Sequence, residues 1–156
     1  MCGPESLWLA ARLCGEEVTV ERPAKLAGTD PSIGTSAAGM VTAAKEIGLE
    51  AEVISGDLAA VARDHRQAIV IVNGNTHYSL LVDCGPTSVT TADGSGLREM
   101  SREEFEKRWG GMAIMVGVPG GLSRWSWWAV AGIVAGLALF LYCRRRRSRD
   151  AFGRCS

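Results

Sequence analysis

The 156 residues include 17 Lys and Arg, 17 Asp and Glu and five cysteines, enough chain for one domain and an appendage. The neutral total hides a division: residues 1–124 hold 11 basic and 16 acidic residues, a net of −5, whereas residues 143–156 hold six Arg and one Asp, a net of +5. An acidic domain does not suit nucleic acid, and an odd number of cysteines with no CxxC pair, beside only His65 and His77, points away from both a zinc site and a disulfide framework.

The chain opens on Cys2-Gly3-Pro4, followed by apolar residues at helical spacing, which predicts a helix from about Glu5 to Cys14 that stops at Gly15. Proline suits a first turn, where its missing N–H costs nothing. The free N–H groups and partial positive charge of such a helix end favour a thiolate over a thiol. Taken alone, Cys2 reads equally as a nucleophile or as a small residue of a frayed terminus.

Val18-Thr19-Val20 reads as a short extended piece, and Pro23 opens a brief helix that stops at Gly28. Thr29 to Thr35 is a loop dense in turn formers. Ser36 then caps a helix in which Ala37, Met40, Val41, Ala44 and Ile47 keep the 3.6 period, and Gly48 closes it. Glu50 to Ser55 is a strand, and Asp57 caps a short helix reaching about Asp64. From there the pattern turns to β. The continuous apolar run Ala68 to Val72 predicts a strand buried on both faces. Asn73-Gly74-Asn75 is a turn, with His77 to Asp83 as the returning strand and Thr87 to Ala92 as the next. Ser101-Arg102-Glu103-Glu104 has the capping-box pattern and starts a helix carrying Phe105 and Trp109, after which Met112 to Val118 completes the strands. Helices first and an antiparallel sheet second make an α+β domain.

Pro119 to Arg124 is a Gly-rich linker, followed from Trp125 to Cys143 by 19 residues without a charge. As a helix this segment is about 28 Å long, close to the thickness of a bilayer core. Trp125, Trp127 and Trp128 at one end and Tyr142 at the other suit the membrane interfaces, and Arg144 to Arg147 stop the segment. The sequence thus divides into a domain over 1–118, a linker over 119–124, a single transmembrane helix over 125–143 and an Arg-rich tail over 144–156. The tail is expected on the cytoplasmic side by the positive-inside rule. Met1 leads directly into Cys2 without a signal sequence, which argues for a cytosolic domain, so the side on which the domain lies stays open. Gly132 and Gly136 form a small-xxx-small pair through which two such helices could meet as a homodimer.

A thiol nucleophile needs a base, and the base needs an orienting group. His65 lies in the charged run Arg63-Asp64-His65-Arg66 and reads as a solvated surface residue. His77 follows a turn and opens an apolar strand in the half of the chain that must pack on the first helix. Asp83 and Asp93 are the candidate orienting carboxylates. Asp83 lies six residues along the same strand as His77, roughly 20 Å away at strand rise. Asp93 ends the next strand, which in an antiparallel pair brings it level with the start of its neighbour, so Asp93 is the choice.

These residues, in this order, resemble a known family. Cys2-Gly3-Pro4, Gly34-Thr35-Ser36 leading into Ala43-Ala44-Lys45-Glu46-Ile47-Gly48-Leu49, Asn75-Thr76-His77-Tyr78-Ser79-Leu80-Leu81, and Asp93-Gly94-Ser95-Gly96 with Trp109-Gly110-Gly111 are similar to the bacterial bacteriocin-processing cysteine peptidases. Those are papain-like domains, often fused to ABC exporters, that cut leader peptides after a double glycine. The resemblance covers about residues 2–118. It implies a papain-like fold, Cys2 as nucleophile, His77 as general base and acid, Asp93 as the group orienting His77, and a leader peptide as substrate. It calls for no cofactor and no metal. No G-x-x-x-x-G-K-[ST] motif occurs, so an exporter would be a separate partner.

The chain departs from the family in two places. The glutamine that usually precedes the cysteine and helps bind the oxyanion has no counterpart before Met1, and Gly94 stands where proline commonly follows the aspartate. The first departure leaves two expectations: a start codon upstream of Met1, or a catalytically weak or inactive domain that binds leader peptides for a separate exporter. Gly120-Gly121 looks like a double-glycine cut site beside the membrane, but a flexible linker accounts for it better.

Overall fold

A computed structural model describes residues 2–120 apart from Pro31 and Asn75. The elements in chain order are α1 (Cys2–Leu13), α2 (Glu21–Leu26), α3 (Ala37–Ile47), β1 (Glu50–Ser55), α4 (Leu58–Arg63), β2 (Gln67–Val72), β3 (His77–Cys84), β4 (Ser88–Asp93), β5 (Gly96–Ser101), α5 (Arg102–Arg108) and β6 (Trp109–Gly117). The strands form one antiparallel sheet in the order β1-β6-β2-β3-β4-β5.

The most apolar strands, β2 and β6, lie inside this sheet and are covered on both faces. Ile69, Ile71, Tyr78, Leu80, Ile114 and Val116 pack on one face with Leu7, Ala10, Met40, Ala44 and Ile47 from α1 and α3. On the other face Val70, Val72, Val89, Ala113 and Met115 pack with Leu58 and Val61 of α4 and Phe105 of α5. Alternating residues of one strand serve opposite cores, which explains why Ala68 to Val72 reads as an unbroken apolar run.

Local signals fix the helix ends. Ser36 Oγ accepts the Gly39 N–H at 3.0 Å, Asp57 Oδ1 the Ala60 N–H at 2.6 Å, and Ser101 Oγ the Glu104 N–H at 3.2 Å. Each is a side-chain cap at the expected position. Gly48 takes φ 99°, the left-handed C-cap that glycine adopts without strain. Within α5, Arg102–Glu106, Lys107–Glu103 and Arg108–Glu104 pair one turn apart and support a helix of only seven residues.

The structure corrects several expected elements. Helix α1 begins at Cys2 rather than about Glu5, with Gly3 and Pro4 buried in its first turn. Val18 to Val20 does not form a strand; Val20 is the N-cap of α2, and Pro23 is the third helical residue. Any of the first positions tolerates proline, because their N–H groups have no intrahelical acceptor. Strand β5 was not expected. It is an edge strand, exposed along nearly all its length, and it mixes Leu97 and Met100 with Arg98 and Glu99, so it lacks the apolar signal of an inner strand. Finally, α5 stops at Arg108 and β6 begins at Trp109, three residues before the expected Met112.

Among the described residues no helix is long and apolar enough to cross a membrane. The expected span over 125–143, with Gly132 and Gly136, and the Arg-rich tail lie outside the described residues, as does the linker from residue 121 onward.

One helix position reverses the usual rule. Replacing a helical glycine by alanine ordinarily gains about 1 kcal/mol. At Gly39 a Cβ would overlap the backbone carbonyl oxygen of Ala27, which cannot swing aside as a side chain can. Gly39→Ala is therefore expected to destabilise the domain, by about 1–3 kcal/mol as in other overpacked sites. Urea denaturation of the two proteins measures the sign directly.

Candidate active site

The site forms where α1 begins and β3 begins. Pairing of β2 with β3 runs to Val72 opposite His77, and Asn73 (φ 55°) and Gly74 (φ 69°) turn the chain between them. Four residues, 73–76, connect the strands, and asparagine and glycine are the residues that take positive φ there with little strain. His77 is thereby fixed as the first residue of β3.

The β3–β4 register pairs Leu80 with Ala92, so the next positions outward are Ser79 and Asp93. His77 lies two residues before Ser79 and shares its face. His77 Nε2 is 2.8 Å from Asp93 Oδ2. Ser79 Oγ donates to the same oxygen at 3.3 Å, and the Ser95 backbone N–H and hydroxyl donate to Oδ1 at 2.8 and 2.5 Å. An ionised carboxylate only accepts, so His77 places its N–H on Nε2, which leaves Nδ1 as the acceptor in the neutral ring. That is the arrangement required of an oriented general base.

The electrostatics of Asp93 follow from this cage. Burial, the largest single influence, raises its pKa. Hydrogen bonds from Ser95 and His77, with the attraction of His77 itself, outweigh burial and hold the carboxyl down at about 2. With an ordinary carboxylate near 3.9 in the unfolded chain, the folded state gains stability that is complete above about pH 4. That gain is lost as the pH falls through about 2. Asp93→Asn lacks this contribution. Its deficit against the wild type, on the order of 2 kcal/mol from this source, is expected to shrink between pH 5 and pH 2, as read from urea midpoints across that range.

Cys2 opens α1, whose first turn lies against the start of β3. A Cβ on Gly3 would lie 3.3 Å from the Tyr78 ring and 3.4 Å from the Thr35 Cβ. Ser6 Oγ donates to the Tyr78 carbonyl at 3.2 Å. The Tyr78 phenol is pushed up by burial and, second, by the charge of Cys2. Tyr78, on which the first turn of α1 packs, is the residue that follows His77 in β3. The Tyr78 hydroxyl donates to the Thr35 carbonyl at 3.0 Å and ties in the loop before α3. The other described cysteines differ: burial pushes both the Cys14 and the Cys84 thiol up, disfavouring their thiolates.

Of the remaining candidates, Asp83 is exposed beyond an irregularity in the β3–β4 register, and His65 is exposed after α4. Neither joins the site. Sequence reasoning missed Ser79 and Ser95. Ser95 had a signal, since a serine two residues after an aspartate in a turn commonly bonds to it. The Glu5 side chain lies over Gly94, where a Cβ would meet its carboxylate, the mobile end of a side chain that can swing aside. A recess of about 30 Å³ is lined by His77 and Asp93 with Ser79, Thr91, Arg98 and Arg108 among others. It has room for a water molecule or two, not for a peptide side chain.

A family model, that of the peptidase C39 family, matches residues 1–118. The peptidase domain of Streptococcus ComA, a bifunctional ABC transporter involved in quorum sensing, is similar at 26% identity and a TM-score of 0.67, over 75% of this chain and 90% of that one. A double-glycine-motif protease from an AMS/PCAT transporter, solved with its leader peptide, is similar at 22% identity and a TM-score of 0.67, over 74% and 82%. The peptidase C39-like domain of a Vibrio parahaemolyticus toxin-secretion ATP-binding protein shares the fold at 16% identity and a TM-score of 0.62, over 74% and 95%. No curated protein matches the chain.

Proposed function

Since the chain belongs to the peptidase C39 family, with the papain-like fold of those domains, we propose that it is a cysteine endopeptidase that cuts leader peptides after a double glycine. The observation that carries this reading is the 2.8 Å contact of His77 Nε2 with Asp93 Oδ2, and the packing of the first turn of α1, which carries Cys2, on Tyr78 supports it.

In this reading His77 Nδ1 takes the Cys2 proton and the thiolate attacks the carbonyl carbon of the scissile bond. Backbone N–H groups in the first turn of α1 have no intrahelical acceptor and face the developing oxyanion. His77 then returns the proton to the leaving amine as the C–N bond breaks. A thioester remains on Cys2, and water activated by His77 hydrolyses it. Asp93 stays ionised throughout and stabilises the imidazolium.

The same proposal assigns residues 125–143 to a membrane anchor, with the Arg-rich tail on the cytoplasmic side, on the strength of the 19 uncharged residues and the four arginines after them. A peptidase held at the membrane would work beside a separate exporter. Two of the relatives named above are peptidase domains of transporters, which supports an exporter as the partner.

Incubating the full chain in detergent with a peptide that carries a double-glycine site tests the activity. Two fragments separating after the second glycine are expected by mass spectrometry. Tight binding of the peptide without cleavage, unchanged by Cys2→Ala, would replace the proposal with a leader-presenting role.

A further inference from the structure

Ser79 occupies a place in β3 where the sheet calls for an apolar side chain. It is 4% exposed, and its cross-strand neighbour on β2 is Val70, which is fully buried. Leu81, next along the same face, packs into the cluster with Val70, Val89 and Phe105. A hydroxyl buried in such surroundings costs free energy unless it is bonded. Among the described residues its hydrogen bond goes to Asp93 Oδ2, the oxygen that also receives His77.

We propose that Ser79 is a positioning residue for the peptidase reaction, holding the Asp93 carboxylate in line with His77. This rests on the reading of Cys2, His77 and Asp93 given above. Ser95 clamps Oδ1, but it belongs to the same turn as Asp93 and moves with it. Ser79 is the member of the cage that stands on β3, the strand that also carries His77. Its hydroxyl therefore ties the orientation of the carboxylate to the strand of the imidazole, two residues away on one face. At 3.3 Å the bond is longer than a typical hydroxyl–carboxylate contact, which leaves room for it to shorten as His77 takes up a proton.

The test compares the full chain with Ser79→Ala, Ser79→Thr, Asp93→Asn and the Ser79→Ala/Asp93→Asn double variant. Three quantities are measured: kcat and KM on a double-glycine peptide, the rate at which iodoacetamide alkylates Cys2, and the titration of the Asp93 carboxyl by carbon NMR. Ser79→Ala is expected to lower kcat about tenfold, the scale of one hydrogen bond to a charged group, with KM unchanged. Ser95 and His77 hold the Asp93 carboxyl down at about 2, and loss of the further donor at 3.3 Å should move its titration slightly upward. Ser79→Thr keeps the hydroxyl and should keep both properties near wild type. On the Asp93→Asn background Ser79→Ala should change nothing further, because the group it positions is no longer ionised.

Wild-type kcat and titration in Ser79→Ala would overturn the proposal, since the serine would then be there for its small size. An equal loss on both backgrounds would overturn it too, by showing a general packing defect. If the wild type neither cleaves nor alkylates at Cys2, the peptidase reading fails. The clamp is still decided separately, because the Asp93 titration needs no substrate and no thiol.

Discussion

Cys2→Ala is expected to abolish cleavage of a double-glycine peptide, by a factor on the order of 10⁵–10⁶ in kcat, the scale seen when the nucleophile of a three-residue site is removed. No other described cysteine stands in for it: the Cys14 and Cys84 thiols are both pushed up, and neither lies at a helix start. The fold should be indifferent to the change. Cys2 is only partly buried at the edge of its core, whereas Leu7, Ala10 and Ala11, which seat α1 on the sheet, are fully buried and untouched. A urea midpoint close to wild type beside a complete loss of cleavage is the expected pair of results.

His77→Ala should be nearly as severe, at about 10⁴–10⁶-fold in kcat, because without the imidazole nothing takes the thiol proton or returns it to the leaving amine. Asp93→Asn should lower kcat by less than His77→Ala, since an amide oxygen can still accept the His77 N–H but carries no charge to stabilise the imidazolium. The effects should not add. Once His77 is gone, Asp93 has no ring to orient, so a His77→Ala/Asp93→Asn double variant should be no slower than His77→Ala alone. Steady-state rates of the three variants, with circular dichroism as a check on folding, decide the matter. A double variant much slower than either single one would mean that Asp93 acts on something other than His77.

Much of this arrangement was legible in the sequence because it rests on short-range chemistry. Ser36, Asp57, Ser101 and Gly48 mark helix ends through bonds within three residues, and the structure has each of them in that role. The unbroken run Ala68 to Val72 announced an inner strand, and the order of turn and strands brought Asp93, not Asp83, level with His77. What the sequence hid depends on longer range. Strand β5 is held by its pairing with β4 and by little burial of its own, so no periodicity betrays it. The start of α1 at Cys2 depends on Gly3 packing under Thr35, Met40 and Tyr78, contacts separated by more than thirty residues of chain, with Pro4 buried beside it. Ser79 is the plainest case. In the sequence it is one polar residue in an apolar strand, and only the β3–β4 register gives its hydroxyl a carboxylate to hold.

At Gly94 the Glu5 carboxylate lies over the backbone of the Asp93 turn. The helix that carries Cys2 and the turn that carries Asp93 are thus in contact with each other as well as with β3.

Every step proposed for the site requires that His77 activates Cys2. The most direct measurement is the rate at which a thiol-reactive peptide ending in Gly-Gly labels Cys2, followed by intact mass from pH 5 to pH 9, in the wild type and in His77→Ala. Labelling that is much faster in the wild type than in His77→Ala, with the ratio of the two rates greatest at the acidic end of the range, is the predicted result. Equal rates and the same pH dependence in both proteins would contradict it.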